Sequence, residues 1–148
     1  MNTIHMNAVQ KTHETYRQIA AVYAEAQQER THLAAQAARF AALVKPNGLV
    51  FDVGCGPGLD TAVLQQHSLR AIGLDFGYEM MQVGRQVYGV DTPFVQADMR
   101  HLPLGSVADG LWVCASLLHL QRADVLPTLQ AFHHVLQPDG ILYLSVKL

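Results

Sequence analysis

The chain has little cysteine, little charge of either sign and no long apolar run. Its two cysteines, Cys55 and Cys114, stand far apart, which favours a reduced cytoplasmic protein over a disulfide-stabilised secreted one. Lysine and arginine are scattered and the formal net charge is −2, so we expect no nucleic-acid partner. The start, Met1–Gln10, is polar and no apolar stretch is long enough to span a bilayer, so we expect neither a signal peptide nor a membrane partner.

A metal-binding pattern is also absent, although histidine is plentiful. No two histidines have the His-x-x-x-His spacing that places both on one face of a helix, and none lies beside a Cys-x-x-Cys pair. We therefore predict no metal site. The eight histidines are His5, His13, His32, His67, His101, His119, His133 and His134.

Half of the residues are hydrophobic, and 148 residues are enough for one domain with a substantial core. We predict a single domain over 1–148, divided into an N-terminal helical cap (1–45) and an α/β core (46–148). The helical spacing of apolar residues predicts one cap helix from Asn7 to about Glu29 and a second from a Thr31 cap to Val44.

Beyond residue 48, short apolar runs alternate with helical patterns. This alternation predicts right-handed crossovers and a parallel sheet with helices on both faces. The runs are apolar almost throughout, as expected of strands buried on both sides. The predicted strands are Leu49–Val53, Ala71–Leu74, Pro93–Ala97, Gly110–Ala115 and Ile141–Val146, and the predicted helices are Leu59–Gln66, Glu79–Val87 and Asp124–Leu136.

A glycine-rich turn, Asp52-Val-Gly54-Cys-Gly56-Pro-Gly58, joins the first of these strands to the helix that follows. Strand, glycine turn and helix in this order bring a ligand close to the backbone, because a side chain would block the approach. The dinucleotide fingerprint has glycines at the first, third and sixth positions, and here the sixth position is the bulky Leu59. The spacing therefore disfavours an NAD-dependent oxidoreductase.

Carboxylates also end the second and third predicted strands. Asp75 stands where a carboxylate can accept both hydroxyls of a ribose, and Asp98 stands where one can accept an adenine amino hydrogen. Because ligands lie beyond the carboxyl ends of parallel strands, we expect Asp52, Asp75 and Asp98 to face one site. Asp75 or Asp98 taken alone has an ordinary alternative as a helix N-cap or turn residue.

Together these features resemble the class I S-adenosylmethionine-dependent methyltransferases. The glycine turn is similar to the family's first motif, and Leu74-Asp75-Phe76-x-x-x-Met80-Met81 is similar to its second. The resemblance extends over 98–104, 109–119 and Pro138-Asp139-Gly140, where Asp139 replaces a glycine. It implies a Rossmann-like doubly wound parallel sheet of about five strands in the order 3-2-1-4-5, preceded by N-terminal helices.

The resemblance also implies which residues bind the cofactor. Phe76 and Met99 would enclose adenine, Tyr16 and Tyr23 would close over the cofactor, and His119 is the candidate general base. The alternatives are core packing for the first two, packing of the first helix for the tyrosines, and a hydrogen bond at the rim of the sheet for His119. The predicted cofactor-binding residues are Asp52, Gly54, Cys55, Gly56, Gly58, Asp75, Phe76, Asp98, Met99, Ala115, Tyr16 and Tyr23.

The activity implied by this resemblance is methyl transfer from S-adenosylmethionine to a small-molecule acceptor, which leaves S-adenosylhomocysteine. The cofactor carries an activated methyl group, so an in-line displacement depends mainly on alignment. The segment after the fourth strand, Ala115-Ser116-Leu117-Leu118, differs from the Asn/Asp-Pro-Pro-aromatic motif of amino-group DNA methyltransferases. The alternative function is a non-catalytic module that binds the cofactor or a partner.

The end of the chain departs from the family pattern. The family continues with two strands beyond the fifth, whereas this sequence stops at Ile141–Leu148. An uncovered apolar edge strand is a site for pairing with another chain. A fragment, a paired edge and a reduced natural variant each account for the departure. We favour a truncated form that forms a homodimer through the fifth-strand edge or is marginally stable.

Overall fold

The computed structural model describes Glu14, Thr15, Val22 and residues 33–146. Those first three residues are helical, as the predicted Asn7–Glu29 helix requires. The remainder of that predicted helix, including Tyr16 and Tyr23, lies outside the described residues, and so does the predicted Thr31 cap.

Every strand and helix predicted beyond residue 32 is present, and most bounds agree to within two residues. A 3-10 helix at Leu117–His119 was not predicted. Within 33–146, no helix is long and apolar enough to cross a membrane. The helices are α1 (Leu33–Leu43), α2 (Leu59–Gln66), α3 (Tyr78–Tyr88) and α4 (Arg122–Val135), and the strands are β1 (Leu49–Val53), β2 (Arg70–Asp75), β3 (Phe94–Gln96), β4 (Ala108–Cys114) and β5 (Leu136–Ser145).

The five strands form one parallel sheet in the order β3-β2-β1-β4-β5, which confirms the predicted order. Strand β1 is central, and its Val50 lies between Ala71 of β2 and Gly110 of β4. The chain moves outward from β1 to β3 and then crosses back to β4, so the strand order reverses between β1 and β4. Ligands in such sheets bind beyond the carboxyl ends of the strands at this reversal.

Two apolar layers cover the sheet, because side chains alternate between its faces along each strand. On one face, Phe40 of α1 packs edge-on against Trp112 with 5.3 Å between ring centroids, and Trp112 stacks on Tyr143 at 3.8 Å. On the other face, Phe132 of α4 is buried in a cluster with Leu111. Helix α1 therefore forms part of the cover of the sheet, and the predicted division at residue 45 stays a prediction.

Strand β5 begins at Leu136, directly after α4 and earlier than predicted. Residues 137–140, which include Pro138-Asp139-Gly140, form a wide bulge, because Leu136 pairs with Ala108 and the next pair joins Ile141 to Gly110. Asp139 in this bulge has a φ of 64°, a left-handed conformation that glycine adopts more readily. The aspartate thus takes the conformation that the family's glycine would provide.

One face of β5 is apolar and exposed. Leu142, Leu144 and the following Val146 are exposed to 40%, 42% and 55% of their surface. On the opposite face, Ile141 and Tyr143 pack against the cluster that contains α1. Among the described strands β5 lies at the edge of the sheet, so its second apolar face is left without a cover from residues 33–146.

An ion pair lies at the end of the sheet where the central strand β1 begins. Asp109 of β4 accepts a hydrogen bond from the Leu49 N–H at 2.7 Å and pairs with the Lys45 ammonium at 2.7 Å. Burial alone raises the pKa of Asp109, but the bonds and charges of its partners outweigh burial and lower that pKa below its usual range. Asp109 therefore ties the starts of β1 and β4 together. These starts lie at the end of the sheet opposite the carboxyl ends of the strands, where a ligand is expected.

Candidate functional site

The glycine turn after β1 has a backbone that only glycine adopts easily. Gly54, Gly56 and Gly58 have φ values of 75°, 54° and 80°. A Cβ at Gly54 would lie 2.3 Å from the Ser116 Cβ, and one at Gly58 would lie 2.4 Å from the Phe94 ring. At Gly56 the nearest atom is the Met80 Cε, 3.6 Å away. The outer glycines therefore allow close packing, whereas the central one borders open space that a ligand can enter.

The N–H groups of this turn bond within the protein. The N–H groups of Gly54 and Cys55 both donate to the Leu74 carbonyl, at 2.8 and 3.1 Å. The Gly58 N–H donates to the Cys55 carbonyl at 3.0 Å, and the Gly56 N–H donates to a carboxylate oxygen of Asp75. These N–H groups are thus bonded to oxygens of β2 and of the turn itself, unlike those of a turn that presents its N–H groups to a phosphate.

Asp75 joins the end of β2 to the glycine turn. Its Oδ2 accepts the Gly56 N–H at 2.8 Å, and its Oδ1 accepts the Gly77 N–H at 2.7 Å. The second bond precedes α3, whose N-cap Gly77 has no side chain to cap the helix. The carboxylate is half-buried and fixed at both oxygens, at the position where the sequence predicted ribose recognition.

Asp52 is buried rather than presented to solvent. Its side chain is 2% exposed, and its Oδ2 accepts a hydrogen bond from the Thr61 hydroxyl at 2.6 Å. Thr61 lies on α2 and is fully buried. This bond locks α2 onto the end of β1, so Asp52 positions the glycine turn whether or not it also contacts a ligand.

Asp98, at the end of the β3 segment, is bound by an arginine that sequence reasoning missed. Arg100 donates from Nε to Oδ1 at 3.0 Å, from Nη2 to Oδ2 at 2.6 Å, and from its backbone N–H to Oδ1 at 2.9 Å. Burial raises the pKa of Asp98, but these bonds and the arginine charge outweigh it and lower the pKa. The local signal was a basic residue two positions after the aspartate.

Phe76 and Met99 follow the ends of β2 and β3. Phe76 is 39% exposed, which is unusual for a phenylalanine in a structural core. Met99 is half-buried at the margin of the core, and its Cε lies 3.5 Å from the Cβ position of Gly54. Met99 thus borders the glycine turn, and Phe76 offers an exposed ring beside Asp75.

The backbone is strained directly after β4, beside the glycine turn. Ala115 has a φ of 49°, a left-handed conformation that costs a non-glycine residue about 1–2 kcal/mol. The next residue, Ser116, is buried and donates from its hydroxyl to the Val53 carbonyl at 2.9 Å. Ser116 joins the ends of β4 and β1. Sequence reasoning did not single it out, because its partner lies 63 residues away.

His119 lies in the 3-10 helix just beyond β4. Its backbone N–H donates to the Ser116 carbonyl at 3.1 Å, which ties the backbone of His119 to the end of β4. The side chain is half-buried, and burial lowers the pKa of His119. The imidazole is therefore neutral near pH 7 and able to accept a proton.

Gly84 was also missed, although it lies inside a predicted helix where glycine is unfavourable. A Cβ at this position of α3 would lie 1.9 Å from the Pro57 carbonyl oxygen. Helix α3 therefore packs directly on the backbone of the glycine turn. Glycine at residue 84 is required by this contact and not by its φ, which is helical.

Cys55 is the predicted cofactor-binding residue between the first two glycines of the turn. Burial first, and then the charges of Asp52 and Asp75, raise the pKa of the Cys55 thiol, so Cys55 packs as a neutral group beside Gly73. Tyr16 and Tyr23 lie outside the described residues. Over the described part of the chain, no group of three metal-ligating side chains is found.

A separate hollow of about 730 Å³ lies between α1, α2 and the loop that follows α3. Asp60, which accepts the Trp112 indole N–H at 3.0 Å, is one of its lining residues. Asp75 and Asp98 are not among them, so the predicted cofactor residues do not belong to this hollow.

Comparison with known proteins shows the family to which the chain is similar. A family described as methyltransferase domain matches residues 50–140, more than half of the chain. Trans-aconitate 2-methyltransferase of Escherichia coli is 35% identical over 96 residues, which cover 63% of this chain and 36% of that enzyme. The chain spans 36% to 48% of the length of curated relatives such as this one.

Solved structures share the fold. The 1,6-didemethyltoxoflavin-N1-methyltransferase of Burkholderia thailandensis superimposes with a TM-score of 0.72 at 19% identity, covering 95% of this chain and 66% of that one. The [4+2]-cyclase SpnF superimposes with a TM-score of 0.76 at 20% identity, covering 93% of this chain and 59% of that one. At these identities the likeness shows the fold alone, and a protein named as a cyclase shares it.

The family match supplies what the fold by itself does not. It runs from β1 through the bulge of β5, and so includes the glycine turn and the strand ends that carry Asp75 and Asp98. This is the stretch in which the glycine spacing departs from the dinucleotide fingerprint. The chain belongs to the class I S-adenosylmethionine-dependent methyltransferase family.

Proposed function

We propose that this chain binds S-adenosylmethionine at the carboxyl ends of β1, β2 and β3 and transfers its methyl group to a small-molecule acceptor. The observation that carries the proposal is the bond between the Asp75 carboxylate and the Gly56 N–H at 2.8 Å. It holds the end of β2 against the turn after β1, and a nucleoside binds between such elements. The carboxylate is already oriented, so binding the ribose requires little reordering of the side chain.

The bonding of the glycine turn favours a nucleoside without a diphosphate. Four N–H groups of the turn, those of residues 54, 55, 56 and 58, are donated to protein oxygens. A diphosphate at this turn would need such N–H groups and would lie beside the negative charge of Asp75. S-adenosylmethionine has no phosphate and carries a positive sulfur, so its charge suits the site better than that of NAD.

Transfer at this site depends on alignment and on removal of a proton. When bound, the cofactor would supply a methyl group activated by a positively charged sulfur; an acceptor lone pair would form the new bond to the methyl carbon, and the electron pair of the carbon–sulfur bond would return to sulfur. A hydroxyl or amine acceptor must also lose a proton, and His119 is the proposed base. Its lowered pKa keeps the imidazole neutral near pH 7.

A small molecule is the proposed acceptor. The net charge of −2 and the scattered basic residues do not favour a nucleic acid. Trans-aconitate 2-methyltransferase and 1,6-didemethyltoxoflavin-N1-methyltransferase carry the names of small molecules as their substrates. Their two names differ in acceptor chemistry, so the proposal extends to the class of acceptor and not to one compound.

Calorimetric titration with S-adenosylmethionine and S-adenosylhomocysteine, with NAD as the control ligand, tests this proposal. We expect saturable binding of both sulfur nucleosides, weakened about tenfold or more by Asp75→Ala because bonds to a charged group are lost. Asp91→Ala is the matched control, since Asp91 is an exposed aspartate in the loop between α3 and β3. If Asp75→Ala unfolds the protein, Asp75→Asn takes its place.

Failure of the folded wild-type chain to bind either sulfur nucleoside would contradict the proposal. Transfer of labelled methyl to candidate acceptors then separates an enzyme from a non-catalytic cofactor-binding module. Binding without transfer to any acceptor would favour the module.

We also propose that a second copy of the chain covers the edge of β5. Among the described strands β5 has a partner on one side only, and it carries the exposed apolar side chains of Leu142 and Leu144. Both features favour this pairing, because an unpaired edge strand with exposed apolar side chains attracts another strand. Sedimentation analysis should show a dimer that Leu144→Lys weakens. A wild-type chain that stays monomeric at high concentration would exclude it.

A further inference from the structure

We infer that Arg100 is a positioning residue that makes the cofactor site selective for a purine carrying an amino group. The inference rests on the proposed binding of S-adenosylmethionine and deepens it. Arg100 acts through Asp98, which stands where the adenine amino group would donate a hydrogen bond. Its role is to fix the direction in which the Asp98 carboxylate accepts.

The contacts of Asp98 with Arg100 leave few acceptor positions on the carboxylate for a ligand. Three N–H groups of Arg100 donate to the carboxylate: the backbone N–H to Oδ1, Nε to Oδ1 and Oδ2, and Nη2 to Oδ2. A carboxylate offers about four acceptor positions. Because the Nε hydrogen is shared between the two oxygens, the three N–H groups of Arg100 occupy about three positions and leave about one for the single N–H that an adenine amino group turns toward a side chain.

A second carboxylate holds the arginine in place. The Arg100 Nη1 lies 3.6 Å from Asp124 Oδ2, in the first turn of α4. Arg100 is only about a quarter exposed and is held between two elements that are distant in sequence. A guanidinium bonded by its planar edge fixes the plane of Asp98, which a single point charge cannot do.

Charge explains the choice of base. An ionised Asp98 accepts from an amino N–H and repels the oxygen of a 6-oxo purine. An aspartate is ionised near neutral pH with or without the arginine, so the contribution of Arg100 is to fix the direction in which the Asp98 carboxylate accepts. Arg100 could instead bind an anionic methyl acceptor, but its positive charge is already paired with the carboxylates of Asp98 and Asp124. We therefore assign its role to recognition of the purine base.

The test compares S-adenosylhomocysteine with S-inosylhomocysteine, in which a 6-oxo group replaces the amino group. We expect the wild-type chain to prefer the adenosyl compound by about tenfold to a hundredfold, as for a hydrogen bond to a charged group. Arg100→Met should remove most of this preference, and Arg100→Lys should retain only part of it. Arg122→Met is the matched control, because Arg122 is an exposed arginine at the start of α4, and it should keep the wild-type ratio.

The ratio of the two affinities separates positioning from a merely structural role. If Arg100→Met weakens both ligands equally and the ratio is unchanged, the inference is wrong. If Arg100→Met does not fold, Arg100→Lys decides, and a wild-type ratio in that variant overturns the inference. Equal binding of both ligands by the wild type would also overturn it while leaving cofactor binding intact. Binding of neither ligand by folded wild type would instead refute the proposed function.

Discussion

Replacing Gly84 with alanine should force α3 away from the glycine turn. The added Cβ would lie 1.9 Å from the carbonyl oxygen of Pro57 and 2.8 Å from its carbonyl carbon. Ordinary carbon–oxygen contacts are about 3.3 Å or longer, so the helix must retreat by about 1.4 Å. Both Pro57 atoms belong to the backbone, so no side-chain rotation relieves the contact.

Two opposing effects decide the size of the change. Alanine favours a helix over glycine by about 1 kcal/mol. Inserting a carbon into a closed contact costs about 1–3 kcal/mol, and occasionally more. Because the clash at residue 84 is with backbone, we expect the upper part of this range and a net loss of about 2 kcal/mol in the free energy of unfolding. The retreat also displaces Pro57, so cofactor affinity should fall.

Urea denaturation and calorimetric titration with S-adenosylhomocysteine measure these two effects. Gly105→Ala is the matched control, because no atom lies within 4 Å of a Cβ at residue 105 and its φ is not left-handed. This control should be neutral or more stable by about 0.4–1 kcal/mol. The reasoning fails if Gly84→Ala is as stable as Gly105→Ala and binds the cofactor product as tightly as wild type.

Two further predictions concern titration. Asp109→Asn removes the charge that pairs with Lys45 and should lower the free energy of unfolding by about 1–3 kcal/mol at pH 7. The unfolded aspartate binds its proton near pH 3.9 and the folded one only at lower pH, so the stabilisation is full above that value and is lost as pH falls through the lowered pKa. A difference in the free energy of unfolding between wild type and Asp109→Asn that stays constant as the pH falls would contradict this. For His119, the rate of methyl transfer should fall as pH decreases below about 6.5 and the imidazole gains a proton. His119→Gln should remove that dependence, and a fall in rate at acid pH that is the same in His119→Gln as in wild type would exclude His119 as the base.

The glycine turn illustrates how far local patterns reach. Its three glycines predicted a tight turn beside a ligand, and all three have left-handed φ values. The same pattern suggested N–H groups presented to a ligand, whereas those N–H groups bond to Leu74, Asp75 and Cys55. The backbone conformation follows from glycine itself, but the partners of its N–H groups depend on how β2 packs beside the turn.

For the aspartates at the strand ends, too, the sequence predicted the positions but not the bonding partners. All three were recognised from their positions after apolar runs. Their surroundings differ: Asp52 is buried against Thr61, Asp75 bonds two backbone N–H groups, and Asp98 is held by Arg100. Thr61 lies on a helix, whereas the partners of Asp75 and Asp98 lie in turns and loops. A local pattern does not reveal which of these groups lies against a strand end, so the partners were not predictable.

The sequence by itself determined the strands, the crossovers and the position of the turn, because apolar periodicity and glycine conformation act over a few residues. The strand order was implied by the family resemblance and not by these local patterns. Only the tertiary structure decided which groups meet. Ser116 reaches Val53 across 63 residues, Asp75 reaches Gly56 across 19, and Gly84 lies against Pro57. Such contacts arise when separate elements pack at a particular distance and rotation, and neither quantity is written in the pattern of any one segment.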